Sequence, residues 1–304
     1  MVGGSGIAPL ESVFKPTLQP FLDATTSFDD SRCALFGAPF DSTSSYRRGS
    51  RFAPDAIRQA SQYMETYSPR TGLDLGDIAL SDLGNVRVAE SIEGTLEVIE
   101  EAVRLTRGGG VMPLMLGGEH TVTLGALRAL RPDLVVVLDG HMDLRDRLLG
   151  SALSHGTYLR RALEELDCRA VILGARALSR EEKEFAEANR ERVRVVAARS
   201  LLGEGAGAGV GPVREWLEGS GSAYLSIDMD VLDPSQAPAV GNPAPEGIGV
   251  PLLLDLVCGV VDDRFLGFDL TEVSPHYDSG LTAIQAAHIA LETLYCLERG
   301  GVAA

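Results

Sequence analysis

A chain of 304 residues, 45% hydrophobic and 23% charged, has ample material for a buried core and does not have the composition of a disordered or fibrous protein. Acidic residues outnumber basic ones, 43 to 27, and the formal charge of −16 disfavours nucleic acid and anionic membranes as partners. The apolar runs fall short of the roughly 20 residues that cross a bilayer, and no basic-then-apolar leader opens the chain, so a cytoplasmic protein without membrane contact is expected.

Residues 1–30 show no periodicity and are expected to pack as an extension on a single domain spanning residues 1–304. From there, short apolar runs alternate with segments of helical period, which predicts a three-layer α/β/α unit around a mainly parallel sheet. In chain order the expected strands are Ala34–Gly37, Met112–Leu116, Leu134–Leu138, Ala170–Leu173, Val193–Val196, Ala223–Ile227 and Phe265–Phe268. Ile92, Leu96, Ile99 and Val103 mark one amphipathic helix; Ile284, His288, Leu291 and Tyr295 mark another, with His288 on its apolar face. The stretch Gly203–Gly211 reads as a surface loop. Cys33, Cys168, Cys258 and Cys296 are far apart and form no CxxC pair, and they are expected to be buried free thiols. Arg32, Arg47, Arg48, Arg51 and Arg58 are expected at subunit contacts or on a solvated face.

Three of the strands are followed directly by acids or histidines, and open α/β sheets bind ligands at the carboxyl ends of their strands. Gly117-Gly118-Glu119-His120 follows the first, the two glycines permitting a tight turn. Asp139, His141 and Asp143 follow Leu138 at i, i+2 and i+4, so in an extended chain they share a face. Asp228 and Asp230 follow Ile227 in the same way. Four carboxylates and two imidazoles converging at one sheet edge call for cations, because like charges a few ångströms apart cannot all stay ionised. The oxygen-rich set suits Mn²⁺ or a similar divalent ion, and bridging carboxylates let six side chains hold two. Glu119 is expected to support His120 through a hydrogen bond and not to ligate.

These segments resemble the ureohydrolases, the arginase and agmatinase family, in which Gly-Gly-Glu-His, Asp-Ala-His-x-Asp and Ser-x-Asp-x-Asp occur in this order. Gly37–Asp41, Tyr46–Pro54, Ser226–Pro234 and Asp269–Pro275 extend the resemblance over nearly the whole chain. It implies an arginase-like fold and two Mn²⁺ per subunit. One ion would be held by His120, Asp139, Asp143 and Asp228, the other by His141, Asp139, Asp228 and Asp230, with Asp139 and Asp228 bridging. Glu272 aligns with the guanidinium-binding glutamate, and His155 with the proton-relay histidine, whose ordinary titration near pH 6.5 suits protonation of a leaving amine. Gly140 replaces the usual alanine, and Ala239–Pro243 departs from a common Gly-Thr-Gly, altering a wall of the cleft.

The loop between Asp143 and His155 looks most like that of agmatinase-like proteins. Asp146 is a candidate partner for a cationic tail, and Arg145 or Arg147 for an anionic one. His276 is a candidate for the cleft mouth near Glu272. The resemblance therefore implies a small cationic guanidino substrate, agmatine, cleaved to urea and putrescine. Guanidinobutyrate, arginine and aminopropylagmatine are the alternatives, together with a catalytically silent metal-binding homologue. A homotrimer or homohexamer is the implied assembly.

Overall fold

The run Leu134–Leu138 has no polar position, and it forms a strand with both faces buried. That is the pattern of a parallel sheet covered by helices on each side. The computed structural model describes residues 10–22 and 24–302; the expected extension lies partly outside them, in residues 1–9. From residue 10 onward it packs on the fold as α1 (Leu10–Val13) and β1 (Phe14–Lys15), with Val13, Phe14, Phe21 and Leu22 buried.

The remaining strands are β2 (Cys33–Ala38), β3 (Leu80–Val86), β4 (Met112–Gly117), β5 (Leu134–Leu138), β6 (Arg169–Ala175), β7 (Val193–Ala197), β8 (Ala223–Asp228) and β9 (Phe265–Thr271). They form one sheet in the order β1-β3-β2-β4-β9-β8-β5-β6-β7, parallel except for the β1–β3 pair. The helices are α2 (Ala53–Ser61), α3 (Ile92–Gly108), α4 (Thr123–Leu130), α5 (Tyr158–Glu165), α6 (Arg180–Ala188), α7 (Ala198–Glu204), α8 (Gly207–Leu217), α9 (Val250–Val260) and α10 (Leu281–Val302). Alternate strand residues feed two cores. Leu134, Val136 and Leu138 join α8, α9 and α10 on one face, and Val135 and Val137 join α3, α4 and α5 on the other. This is the expected three-layer α/β/α arrangement. Among the described residues no helix is long and apolar enough to cross a membrane.

Three expectations need correction. The Gly203–Gly211 stretch is not a loop: it holds the end of α7 and the start of α8, because Ala206, Ala208 and Val210 pack on the core, and that packing overrides the weak helix propensity of glycine. Cys258 and Cys296 are not free thiols; they join α9 to α10 as a disulfide with Cα atoms 5.2 Å apart, leaving Cys33 and Cys168 free and buried. Arg58, expected at a subunit contact or on a solvated face, is inside the fold: its side chain is 1% exposed and grips both oxygens of Asp82 at 2.8 and 2.9 Å, Asn85 Oδ1 at 2.7 Å and the Gly84 carbonyl at 2.9 Å. That network also accounts for β3, whose polar residues break the apolar signal of a strand because they meet a buried cation and not water.

Candidate metal centre and cavity

Sheet order unites motifs that are distant in sequence. β4, β9, β8 and β5 are consecutive neighbours, in register at Leu116, Leu270, Ile227 and Leu138. With neighbouring strands about 4.8 Å apart, Asp228 at the end of β8 and the residues just past the other three strands, His120, Glu272 and Asp139, emerge side by side. Gly118 lets β4 leave the sheet this way, but for a different reason than a turn: a Cβ there would sit 1.9 Å from the Phe40 carbonyl oxygen, which accepts from Glu119 N–H at 2.8 Å.

His120 is fully buried, and its Nδ1 has no hydrogen-bond partner. It faces Asp228 Oδ2 at 3.1 Å, Asp139 Oδ2 at 3.2 Å and Asp143 Oδ2 at 3.3 Å. The other oxygen of Asp139 lies 3.6 Å from His141 Nδ1, and Asp230 Oδ2 lies 2.9 Å from that nitrogen. Two donor sets therefore share Asp139, one around His120 and one around His141. Asp228 faces the first set with Oδ2, while its Oδ1 accepts from Asp230 N–H at 2.7 Å. Burial and the neighbouring Asp139 push Asp143 up to about 7, and burial with Asp230 and Asp139 holds Asp228 well above its usual range. An unpartnered buried imidazole nitrogen ringed by three carboxylate oxygens fits a divalent cation.

The tautomer suits that role. Ser226 Oγ gives its proton to Asp269 Oδ1 at 2.6 Å, so it accepts from His120 Nε2–H at 2.8 Å and leaves the Nδ1 lone pair facing the carboxylates. Tyr158 covers the imidazole with ring centres 4.2 Å apart. Ser226→Ala, which removes this link together with the hydroxyl's bond to Asp269, is expected to weaken metal binding about 10- to 100-fold; titration of the metal-free variant with Mn²⁺ measures it, and wild-type affinity would remove the linkage.

Beside the donor sets a cavity of about 210 Å³ is lined by Ser45, His141, Asp143, Arg145, Leu148, His155, Gly156, Ala177, Glu182, Asp228, Asp230, Asn242 and Glu272. Glu272 Oε1 accepts from His120 N–H at 2.8 Å. Glu272 and Asp143 both hold left-handed backbone, with φ of 68° and 52°. Such a conformation costs a non-glycine residue roughly 1–2 kcal/mol, strain that collects at functional positions. His155 Nε2 lies 3.1 Å from Ser45 Oγ and 3.3 Å from Asn242 Nδ2, and its Nδ1 lies 3.3 Å from Thr43 Oγ1. Thr43 Oγ1 donates to Glu119 Oε1 at 2.5 Å, so it accepts from His155 Nδ1–H and leaves Nε2 as the free base. Burial, reinforced by the neighbouring His141 and His120, pushes His155 down to about 4, below the 6.5 of its ordinary value, so this imidazole stands neutral.

The structure thus brings His120, Asp139, His141, Asp143, His155, Asp228, Asp230 and Glu272 together. It does not bring Asp146 among them. That residue is exposed, with Oδ1 3.0 Å from Arg161 and 3.7 Å from Arg160, and Glu182 and Arg145, 3.6 Å apart, line the outer cavity in its place. Arg147 turns to the Gly150 carbonyl, and His276 packs edge-on against Phe52 and does not line the cavity. Glu119 touches Thr43, Ser44 and Thr121, not the donor sets. Thr43, Ser45, Glu182 and Asn242 were missed in the sequence. The hydroxyl run between the two segments with opening resemblance, and the departure at Ala239–Pro243, were the available signals.

Comparison with known families matches the Arginase family over residues 31–296. Guanidinobutyrase of Pseudomonas aeruginosa is 33% identical over 97% of this chain and 96% of its own length. Agmatinase of Pyrococcus horikoshii is 34% identical over 87% of this chain and 92% of its own. The crystal structure of the agmatine ureohydrolase of Thermoplasma volcanium superposes with a TM-score of 0.85 at 35% identity, covering 95% of this chain and 97% of that one.

Proposed function

Because the chain belongs to the Arginase family, we propose that it is a two-manganese hydrolase that cleaves the guanidino group of agmatine, releasing urea and putrescine. The observation that carries this reading is the pair of donor sets sharing Asp139, set against a cavity whose inner wall is Glu272. His120, Asp139, Asp143 and Asp228 would hold one cation and His141, Asp139, Asp228 and Asp230 the other. When bound, the two cations offset the four aspartates and supply hydroxide near neutral pH.

The protein's own groups do the rest. Glu272 keeps Oε1 on the His120 amide, so Oε2 is left to receive the guanidinium through charge-assisted hydrogen bonds, fixing the central carbon for attack. Asp143 orients the attacking water by accepting its hydrogen. His155, neutral and with its Nε2 lone pair toward the cavity, takes a proton there and passes it to the departing amine nitrogen, without which the C–N bond does not break.

A cationic tail is favoured by Glu182, the carboxylate left in the lining once the aspartates are offset and Glu272 meets the guanidinium. Arg145 itself supports a second reading: among the described residues its guanidinium meets only Glu182, at 3.6 Å, and offers donors to a tail carboxylate such as that of guanidinobutyrate. Urea release by the Mn²⁺-loaded protein from equal concentrations of agmatine, guanidinobutyrate, arginine and aminopropylagmatine separates the two. Agmatine is expected to be cleaved fastest. Preference for guanidinobutyrate would move the tail contact to Arg145, and no urea from any of them would remove the hydrolase reading. A cytoplasmic homotrimer or homohexamer is part of the same proposal.

A further inference from the structure

Among the described residues, Arg176, just past β6, directs its side-chain hydrogen bonds at backbone alone. Nη2 donates to the carbonyls of Asp230 at 2.7 Å, Ala244 at 2.9 Å and Leu232 at 3.1 Å. Nη1 donates to Val231 at 3.2 Å and Gly174 at 3.3 Å, and Nε to Pro245 at 3.0 Å and Ala244 at 3.3 Å. Its own main-chain N–H donates to the Gly140 carbonyl at 2.9 Å. The guanidinium therefore ties together the end of β6, the turn that carries Asp230 and the segment at Ala244, while the main-chain N–H of the same residue meets the segment between Asp139 and His141.

The fit at Gly140 is tight. A Cβ there would lie 2.8 Å from Arg176 Nη1 and 2.9 Å from the Asp230 carbonyl oxygen. The space left by the missing methyl is the space beside the guanidinium. Gly140 N–H also donates to Asp230 Oδ1 at 3.1 Å, so the same small contact region sets the position of the Asp230 carboxylate against His141. Among the described residues, no bond of Arg176 or Gly140 reaches His120 or Asp143; the link from Asp230 toward the first set is its own N–H to Asp228 Oδ1 at 2.7 Å.

We propose that Arg176 is a positioning residue for the cation held through His141 and Asp230, its guanidinium fixing the Asp230 turn to the end of β6 and the Ala244 segment while making no contact with the His120 donor set. The proposal rests on the two-cation reading above. Groups that orient a ligand without touching the metal typically change affinity 10- to 100-fold. Here the change falls on one ion of the two.

The test is titration of metal-free wild type, Arg176→Met and Arg176→Lys with Mn²⁺ well below their melting temperatures, with free Mn²⁺ followed by electron paramagnetic resonance. Wild type is expected to bind two ions. Arg176→Met is expected to bind the first as wild type does and the second about 10- to 100-fold more weakly, with Arg176→Lys, which keeps the charge and part of the bonding, in between. If the methionine variant fails to fold, the lysine variant carries the test through a smaller but still selective loss. Equal weakening of both ions would mean that Arg176 merely supports the fold, and unchanged affinity for both would mean that it does not position Asp230; either overturns the proposal. A wild-type chain that binds one ion overturns it through the two-cation reading itself, a result distinguishable because it appears before any substitution.

Discussion

Asp139→Asn is expected to strip the protein of both cations and to lower urea release at least a thousandfold, about 4 kcal/mol of transition-state stabilisation. Asp139 reaches both donor sets, with Oδ2 toward His120 and Oδ1 toward His141. Asparagine is the same size, so the buried space stays filled, but one carboxylate oxygen becomes an NH₂ that cannot ligate and would point a donor at a cation. The variant also loses one of four negative charges that balance the two ions. Metal content after dialysis, read together with urea release, measures the effect. Retention of two ions, or loss of only one, would show that the sets are independent and that Asp139 does not link them.

The second large effect is expected at Glu272. Glu272→Gln keeps the oxygen that accepts from His120 N–H and keeps the backbone at φ 68°, so metal content and fold are expected to match wild type. What it removes is the charge at Oε2, the atom left to meet the guanidinium. A hydrogen bond to a charged group is worth roughly 1.5–3 kcal/mol, so kcat/KM is expected to fall on the order of a hundredfold. Steady-state kinetics on the Mn²⁺-loaded variant, with its metal content determined in parallel, decides the matter. A fall in activity that tracks lost metal would place Glu272 in support of His120 and take it away from the substrate.

The core strands were legible because their chemistry is uniform. Leu134–Leu138 is apolar throughout and Ala223–Ile227 is apolar but for the buried Ser226, and the acids that follow stand where the apolar run stops. β3 was not legible, since Asp82 and Asn85 are polar residues serving a buried arginine from α2, a contact that no local pattern encodes. α8 was hidden by glycines whose poor helix propensity is overridden by packing on the core. In the site, the spacing of Asp139, His141 and Asp143 and of Asp228 and Asp230 pointed to one face, whereas the placement of Glu182, Asn242 and Thr43 depends on how separate loops meet across the cavity. Asp146 shows the limit from the other side: its neighbours in sequence suggested a tail contact, and its neighbours in space, Arg160 and Arg161 on α5, take its charge.

The sheet order has a temporal meaning as well. β9 is the final strand along the chain, yet it lies between β4 and β8, so until residues 265–271 are made the sheet exists as two pieces, β1-β3-β2-β4 and β8-β5-β6-β7, each with a raw inner edge. A polypeptide emerging from the ribosome therefore cannot assemble this centre in instalments. His120 on one piece and Asp139 with Asp228 on the other are held apart until the last strand zips between them, and pairings of such long sequence separation form slowly. Unpaired strand edges invite association with other chains, so the interval before β9 arrives is when a newborn chain is most exposed to aggregation.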